Sequence, residues 1–284
     1  MKLTADEQSA VLELFATFQR EFGTNGLARI EEAVEILTCP ETEIAEEGFR
    51  RAQFFFPGLE AKPWYRMSEI PIAARLQAEW TTVRAELFGA LQKRTGFQQY
   101  VHVNDYREVV PPEWKALYLK HGLATFPEHR HLCPRTTAII DTDDRIEEMV
   151  MFSALNPGGH IKPHGGTWNC RLNVHLALVV PPGDCALRVG GETRSWTEGR
   201  CLIFDDSFVH EAWNRSEQTR FILLVNLWHP GLTHLEVAFL TRMSQCVSRA
   251  DVAAHLAAVE KGKTELKEQR WWSDGRAEEE GAMT

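Results

Sequence analysis

The chain has 284 residues, 44% hydrophobic and 25% charged, and its 31 Lys and Arg against 40 Asp and Glu give a formal net charge of -9. That apolar share is enough for a packed core, and an acidic balance without clustered Lys or Arg excludes nucleic acid as the expected partner, because phosphate contacts need concentrated positive charge. No charge-free run approaches the roughly 20 apolar residues of a membrane-spanning helix, and the first residues lack the apolar stretch of a secretory signal, so the expectation is a cytoplasmic protein with no membrane partner.

Along the chain, apolar residues first repeat at helical spacing in Val11, Leu12, Leu14, Phe15 and Phe18. They do so again in Ile30, Ala33, Val34, Ile36 and Leu37. After the turn at Phe56-Pro57-Gly58 and the break at Pro63, a third helix is predicted over 72–91. From about residue 98 the texture changes to short β-prone runs at 100–103, 148–152, 174–180, 201–204 and 220–227, separated by Pro, Gly and Asp. Many short strands with turn signals between them predict a mainly β sandwich or jelly-roll barrel with flanking helices. A last helix is predicted over 252–266, followed by a charged tail at 273–284. No linker separates these parts. The expectation is one structural unit: a helical region, 1–97, packed outside a core, 98–240, and a C-terminal helix with its tail, 241–284. None of the six cysteines forms a C-x-x-C pair, so they read as reduced core residues rather than as a zinc cage or disulfide scaffold.

The chemistry concentrates between Phe152 and Pro230. A Gly-rich turn, Asn156-Pro157-Gly158-Gly159-His160, leads to His164, which is expected at the start of a strand. Arg171, Asn173 and His175 then alternate with Leu172, Val174 and Leu176. In a strand this alternation sends the three polar groups to one face together. If that face is the barrel interior, leaving them unpaired costs several kcal/mol each, roughly 2–7, and a bound anion would satisfy them. His210 follows the run 201–204 through Asp205 and Asp206, where a loop can aim it into the barrel mouth. Arg220 opens an apolar strand and suits two-pronged capture of a carboxylate. Two histidines on different strands suit a metal with open positions, non-haem iron(II) among them. The third, carboxylate ligand of the usual set is expected two residues after the first His. That position is Gly166, so by spacing the set is incomplete.

Plainer readings stand beside these. Arg220 could pair with Glu217, Ser153 could cap a turn, and Asp205 and Asp206 either form a turn or orient His210. His129 and His131 read as part of a solvated loop, and Trp168, Trp213 and Trp228 as packing residues.

Five segments together resemble the aspartyl/asparaginyl β-hydroxylase family. They are Asn156-Pro157-Gly158-Gly159-His160, Pro163-His164-Gly165-Gly166-Thr167, Asn169-Cys170-Arg171-Leu172 with His175, Phe204-Asp205-Asp206-Ser207-Phe208 with His210-Glu211, and Trp228-His229-Pro230. The stretches Phe55-Phe56-Pro57-Gly58-Leu59 and Ala61-Lys62-Pro63-Trp64-Tyr65 are similar to the family's lead-in to its core. The resemblance implies a double-stranded β-helix core of the jelly-roll or cupin-like kind. It also implies iron(II) and O₂ as cofactors, and 2-oxoglutarate as a co-substrate that leaves as succinate and CO₂. The family lacks the carboxylate ligand, so Gly166 agrees with it. By resemblance His164 and His210 are the catalytic metal ligands. Ser153, His175 and Arg220 hold 2-oxoglutarate, and Arg171 and Asn173 face the substrate, a small molecule or peptide carrying Asp or Asn. Asn173 departs from the Arg of the animal members, and 110–122, where the family places substrate contacts, matches weakly beyond Trp114. Two alternatives stay open: a hydroxylase of another small-molecule or acyl substrate, and a non-catalytic barrel that binds a metal or an organic acid.

Overall fold

Helix ends are written into the chain as reciprocal caps. Thr4 Oγ1 accepts from the Glu7 N–H at 3.3 Å, and the Glu7 carboxylate accepts from the Thr4 N–H at 2.8 Å. This capping box starts α1 (Ala5–Phe22), and Gly23, at φ 73°, ends it. α2 (Ala28–Thr38) follows. The computed structural model describes residues 3–39, 49–93, 97–99, 113–122 and 124–247.

The helix predicted over 72–91 is two helices, α3 (Pro71–Ala78) and α4 (Trp80–Gln92). They part at Glu79, whose backbone leaves the helical region at φ -104°, ψ 10° and whose carboxylate is held by Arg135 at 2.5 Å. The break turns both apolar stripes, Ile72, Ala73 and Leu76 with Val83 and Leu87, onto the same sheet surface.

The strands are β1 (Gln98–Gln99), β2 (Trp114–His121), β3 (Ala124–Thr125), β4 (Ile146–Leu155), β5 (His160–His164), β6 (Arg171–Val179), β7 (Cys185–Val189), β8 (Glu192–Ser195), β9 (Cys201–Asp205), β10 (His210–Asn214) and β11 (Arg220–Trp228). Every pairing is antiparallel. One sheet runs β1-β2-β4-β11-β6-β9, with β3 beside β2, and the second runs β5-β10-β7-β8. Strands β4 to β11 thus pass back and forth between two facing four-strand layers, which is the double-stranded β-helix; β1, β2 and β3 widen the larger layer. Between the layers lies a core of Ala116, Met151, Leu155, Ala177, Leu187, Val189, Phe204, Ala212, Ile222 and Leu224. The outer face of the large sheet carries the second core, under α3 and α4. A third core packs α1 and α2 on α7 (His234–Val247) and on Phe54, Phe56, Trp168 and Trp228 at the barrel's end.

The strands predicted at 148–152, 174–180, 201–204 and 220–227 correspond to β4, β6, β9 and β11. Those at 100–103, the helix over 252–266 and the tail lie outside the described residues. Position 240 falls inside α7, which begins at His234 on a Thr233–Glu236 capping box of the same kind as that of α1. His164 ends β5 rather than starting a strand, because the chain turns at Gly165-Gly166 directly after it. The loop expected around His129 and His131 is instead α5 (Pro127–Leu132), followed by α6 (Pro134–Ile140). His129 is buried there, its Nδ1 2.7 Å from the Tyr118 carbonyl, so a polar-looking run hides one inward imidazole. No helix among the described residues is long and apolar enough to cross a membrane. All six cysteines are free thiols.

Leu76 is fully buried between α3 and the large sheet. Leu76→Ala is expected to lower stability by about 2–5 kcal/mol within a single urea-unfolding transition. Two separate transitions would show that the helical layer and the barrel do not fold together.

Candidate active site

His164 and His210 are direct cross-strand partners on β5 and β10. Their ring centroids lie 4.2 Å apart at 51°. In both, the chain's own backbone fixes the ring. His164 Nδ1 sits 2.8 Å from the Lys162 carbonyl and His210 Nδ1 2.9 Å from the Phe208 carbonyl. A carbonyl only accepts, so each Nδ1 carries the proton and each Nε2 is the basic nitrogen. Burial, with the neighbouring His164, pushes His210 down to about 3, so its imidazole is neutral. Two imidazoles side by side, each oriented through its other nitrogen, are the donor set of a divalent transition metal. Among the described residues no third His, Cys, Asp or Glu joins them in a metal-binding cluster.

Gly166 has a specific neighbour. A Cβ built on it would lie 2.5 Å from Asp206 Cγ and Oδ1, so the space of a side chain at 166 is taken by the Asp206 carboxylate. Asn173 Nδ2 donates to the same carboxylate at 3.4 Å. The structure corrects the idea that Asp205 orients His210, since the Phe208 carbonyl does this. Asp205 turns the other way, accepting from the Ser207 N–H and facing Arg50 at 4.0 Å. The segment around Arg50 crosses the site loops, with Arg51 N–H donating to Ser207 O and Gln53 N–H to Thr167 O.

The inner face of the large sheet supplies the rest. On β6, Arg171, Asn173 and His175 face inward together, opposite Trp228, Asn226 and Leu224 of β11. Asn226 Nδ2 donates to Asn173 Oδ1. The guanidinium of Arg171 packs beside two indoles that stack on each other at 6.2 Å, 4.3 Å from Trp168 and 5.3 Å from Trp228. Ser153 is opposite Ile222, and it neither caps a turn nor faces water: its Oγ accepts from Trp114 Nε1 at 2.9 Å, leaving its own proton to donate. Arg220 is 1% exposed, and its Nε and Nη1 have no hydrogen-bond partner among the described residues. It makes no ion pair with Glu217. Burial lowers its pKa to about 10, which still leaves it charged at neutral pH. His175, 6% exposed, has both ring nitrogens unpartnered and is held well below the usual imidazole range by burial and by Arg220.

The residues singled out in the sequence therefore gather in one barrel interior. Phe204 touches both His175 and His210, at ring distances of 5.0 and 5.2 Å, and joins the imidazole pair to the cationic end. An unpaired buried guanidinium beside an unpaired buried imidazole fits an anion with a carboxylate at one end. Sequence reasoning missed Asn226, Phe204 and Trp196. Asn226 alternates with Leu224 and Trp228 as Asn173 does with its neighbours, a signal that was there; for Trp196, between β8 and β9, there was none.

Comparison with known proteins gives a consistent picture. The family model for aspartyl/asparaginyl beta-hydroxylase matches residues 77–230. The chain is 32% identical over 201 residues to the aspartyl/asparaginyl beta-hydroxylase of Mus musculus, an overlap of 65% of this chain and 26% of that protein. It is 32% identical over 172 residues to the ornithine lipid ester-linked acyl 2-hydroxylase of Rhizobium tropici, covering 59% of this chain and 61% of that one. Aspartate beta-hydroxylase domain-containing protein 2 of Xenopus tropicalis is 33% identical over 192 residues, covering 64% and 51%. The chain thus spans 26% of the mouse relative's length.

Two outcomes follow from this geometry. Gly166→Ala is expected to destabilise the protein by about 1–3 kcal/mol, read by urea unfolding, because the methyl displaces the Asp206 carboxylate from its place beside Asn173; an unchanged midpoint would show that Asp206 moves freely. The second concerns acid. His229, pushed by burial to about 4 from 6.5, is neutral when folded and more readily protonated when unfolded, as are His210 and His175. Their contribution is fully present above pH 6.5 and is lost as pH falls towards 4, at about 1.4 kcal/mol per unit for each group. Asp205, raised by burial to about 6, acts in the opposite sense but is one group against three. Stability of the metal-free protein should fall between pH 6.5 and 4, and His229→Gln should flatten that slope.

Proposed function

The chain belongs to the aspartyl/asparaginyl beta-hydroxylase family, and from that premise we propose that it is an iron(II)- and 2-oxoglutarate-dependent dioxygenase acting on the β-carbon of an aspartyl or asparaginyl unit. One observation carries the reading: the paired imidazoles of His164 and His210 stand in the same interior as the partnerless, buried Arg220 and His175. Iron(II), O₂ and 2-oxoglutarate, when bound, supply the oxidising chemistry that yields succinate, CO₂ and a hydroxylated carbon.

The chain's own part is placement. His164 and His210 would hold the metal through Nε2, their rings already set by the Lys162 and Phe208 carbonyls. Arg220 offers its guanidinium to the far carboxylate of the oxo acid, and Ser153, having accepted from Trp114, donates its hydroxyl proton to the same group. His175, kept neutral, lies between the two ends and donates from one nitrogen. Burial of this pocket excludes water, which strengthens each of these contacts. At the far end, Arg171, packed beside the Trp168 and Trp228 indoles, is the cation for the substrate's carboxyl or amide group.

A second reading keeps this centre and changes the substrate. Asn173 and Asn226 line the substrate end with neutral amides beside Arg171. A site with less positive charge also suits an acyl substrate, and an acyl 2-hydroxylase is among the relatives.

Protein given iron(II), 2-oxoglutarate and O₂ is expected to form succinate, and an Asp- or Asn-containing acceptor, peptidyl or free, to gain one oxygen atom by mass spectrometry. An acyl acceptor gaining it instead would select the second reading. His210→Ala should lose turnover by more than about 100-fold, since even groups that only support a metal ligand are worth 10–100-fold. Binding of 2-oxoglutarate without consumption would identify a sensor and end both readings.

A further inference from the structure

The connection from β8 to β9 carries the chain from the small sheet to the large one. Gly199 N–H donates to the Ala177 carbonyl, which sets the end of this connection level with the last residues of β6. Phe221, next to Arg220, pairs with Val179 at the same level. Trp196, the residue directly after β8, therefore enters the gap between the sheets where Arg220 enters it from the other side. Its ring lies 4.9 Å from the Arg220 guanidinium carbon and stacks on His175 at 6.2 Å and 22°.

The indole N–H of Trp196 is the unusual part. Trp196 is 4% exposed, and its Nε1 has no partner among the described residues. Three other buried indoles among the described residues have acceptors: Trp114 donates to Ser153, Trp213 to Asp184 and Trp228 to Thr241. Trp64 Nε1 is also without a partner, but that side chain is only partly buried. A buried indole N–H normally finds an acceptor, and an unmet one in an apolar interior is destabilising. Here it stands beside two other partnerless donors, Arg220 and His175. Three donor side chains without an acceptor in one enclosed space call for an anion with several oxygens.

We propose that Trp196 is a binding residue of this pocket: its indole N–H donates to the far carboxylate of a bound 2-oxo diacid, and its ring packs against both Arg220 and His175. The assignment rests on the reading of the pocket as a 2-oxoglutarate site and adds the third side chain of its closed end. It also gives that pocket a length sense. An oxo acid without the distal carboxylate leaves Trp196 and Arg220 unmet, so the chain selects a diacid over a mono-acid.

Calorimetric titration of the full-length protein, loaded anaerobically with manganese(II), tests this with two probes, 2-oxoglutarate and pyruvate. Trp196→Phe keeps a ring and removes the donor. It is expected to weaken 2-oxoglutarate binding by about 10- to 100-fold, the size of a lost hydrogen bond to a charged group, and to leave pyruvate affinity unchanged. Trp213→Phe, on the outer face of the small sheet, should bind both probes as the wild type does. Wild-type 2-oxoglutarate affinity in Trp196→Phe, alongside its loss in Arg220→Ala, would overturn the role of Trp196 while sparing the wider reading. Failure of the wild-type protein itself to bind 2-oxoglutarate would overturn both. Should Trp196→Phe not fold, wild-type protein labelled with ¹⁵N at the indole nitrogens gives the answer. One indole proton should move downfield on saturation with 2-oxoglutarate, and a spectrum in which none moves sinks the assignment.

Discussion

A charged guanidinium buried without a partner is the constraint around which this molecule is organised. Arg220 sits at the first position of a strand that is otherwise apolar until Asn226, and burial lowers its pKa only to about 10. Ionised groups in such surroundings are tolerated where an opposite charge meets them. None does within the described chain, so the folded protein carries an electrostatic cost that an anionic ligand would offset. His175 and Trp196, which pack beside it, also carry ring nitrogens without a partner among the described residues. Binding and stability are therefore coupled here, since a ligand that meets these groups stabilises only the folded state.

Strand register brings the two halves of the site together. His164 and His210 meet because β5 and β10 pair at those residues, and the irregularity between His210 and Ala212 lies directly beside that contact. On the opposite layer the pairing of β6 with β11 puts Arg171, Asn173 and His175 in one row and sets Asn226 against Asn173. A slip of one residue in the pairing of β6 with β11 would send that row to the outer face, under α3 and α4. The packing of Ile72, Leu76, Val83 and Leu87 on that outer face opposes such a slip. The helical layer thus stabilises the register that makes the site.

The imidazole end depends on backbone rather than on charged neighbours. Both imidazoles are oriented by a carbonyl two residues earlier in the chain, so their tautomer is set by local geometry. The acidic groups nearby have other work: Asp205 braces the loop against Arg50 and Ser207, and Asp206 fills the space left by Gly166. Glycine at 166 is required for a close approach, a reason distinct from the turn flexibility usually read into such residues.

The period-2 alternation through Arg171, Asn173 and His175 was enough, by itself, to put three polar groups on one face; that this face is the inner one came from the fold. The apolar runs marked β4, β6, β9 and β11, because strand patterning is a local property of the chain. What only the tertiary structure decided were meetings between distant segments: Trp196 against Arg220, Asp206 against Gly166, Trp114 on Ser153, and the burial of His129 in a run that reads as solvated. These depend on register and on which sheet each strand joins, which are settled by the packing of the whole barrel. Periodicity fixes the face a side chain occupies; only the closed fold fixes what stands across from it.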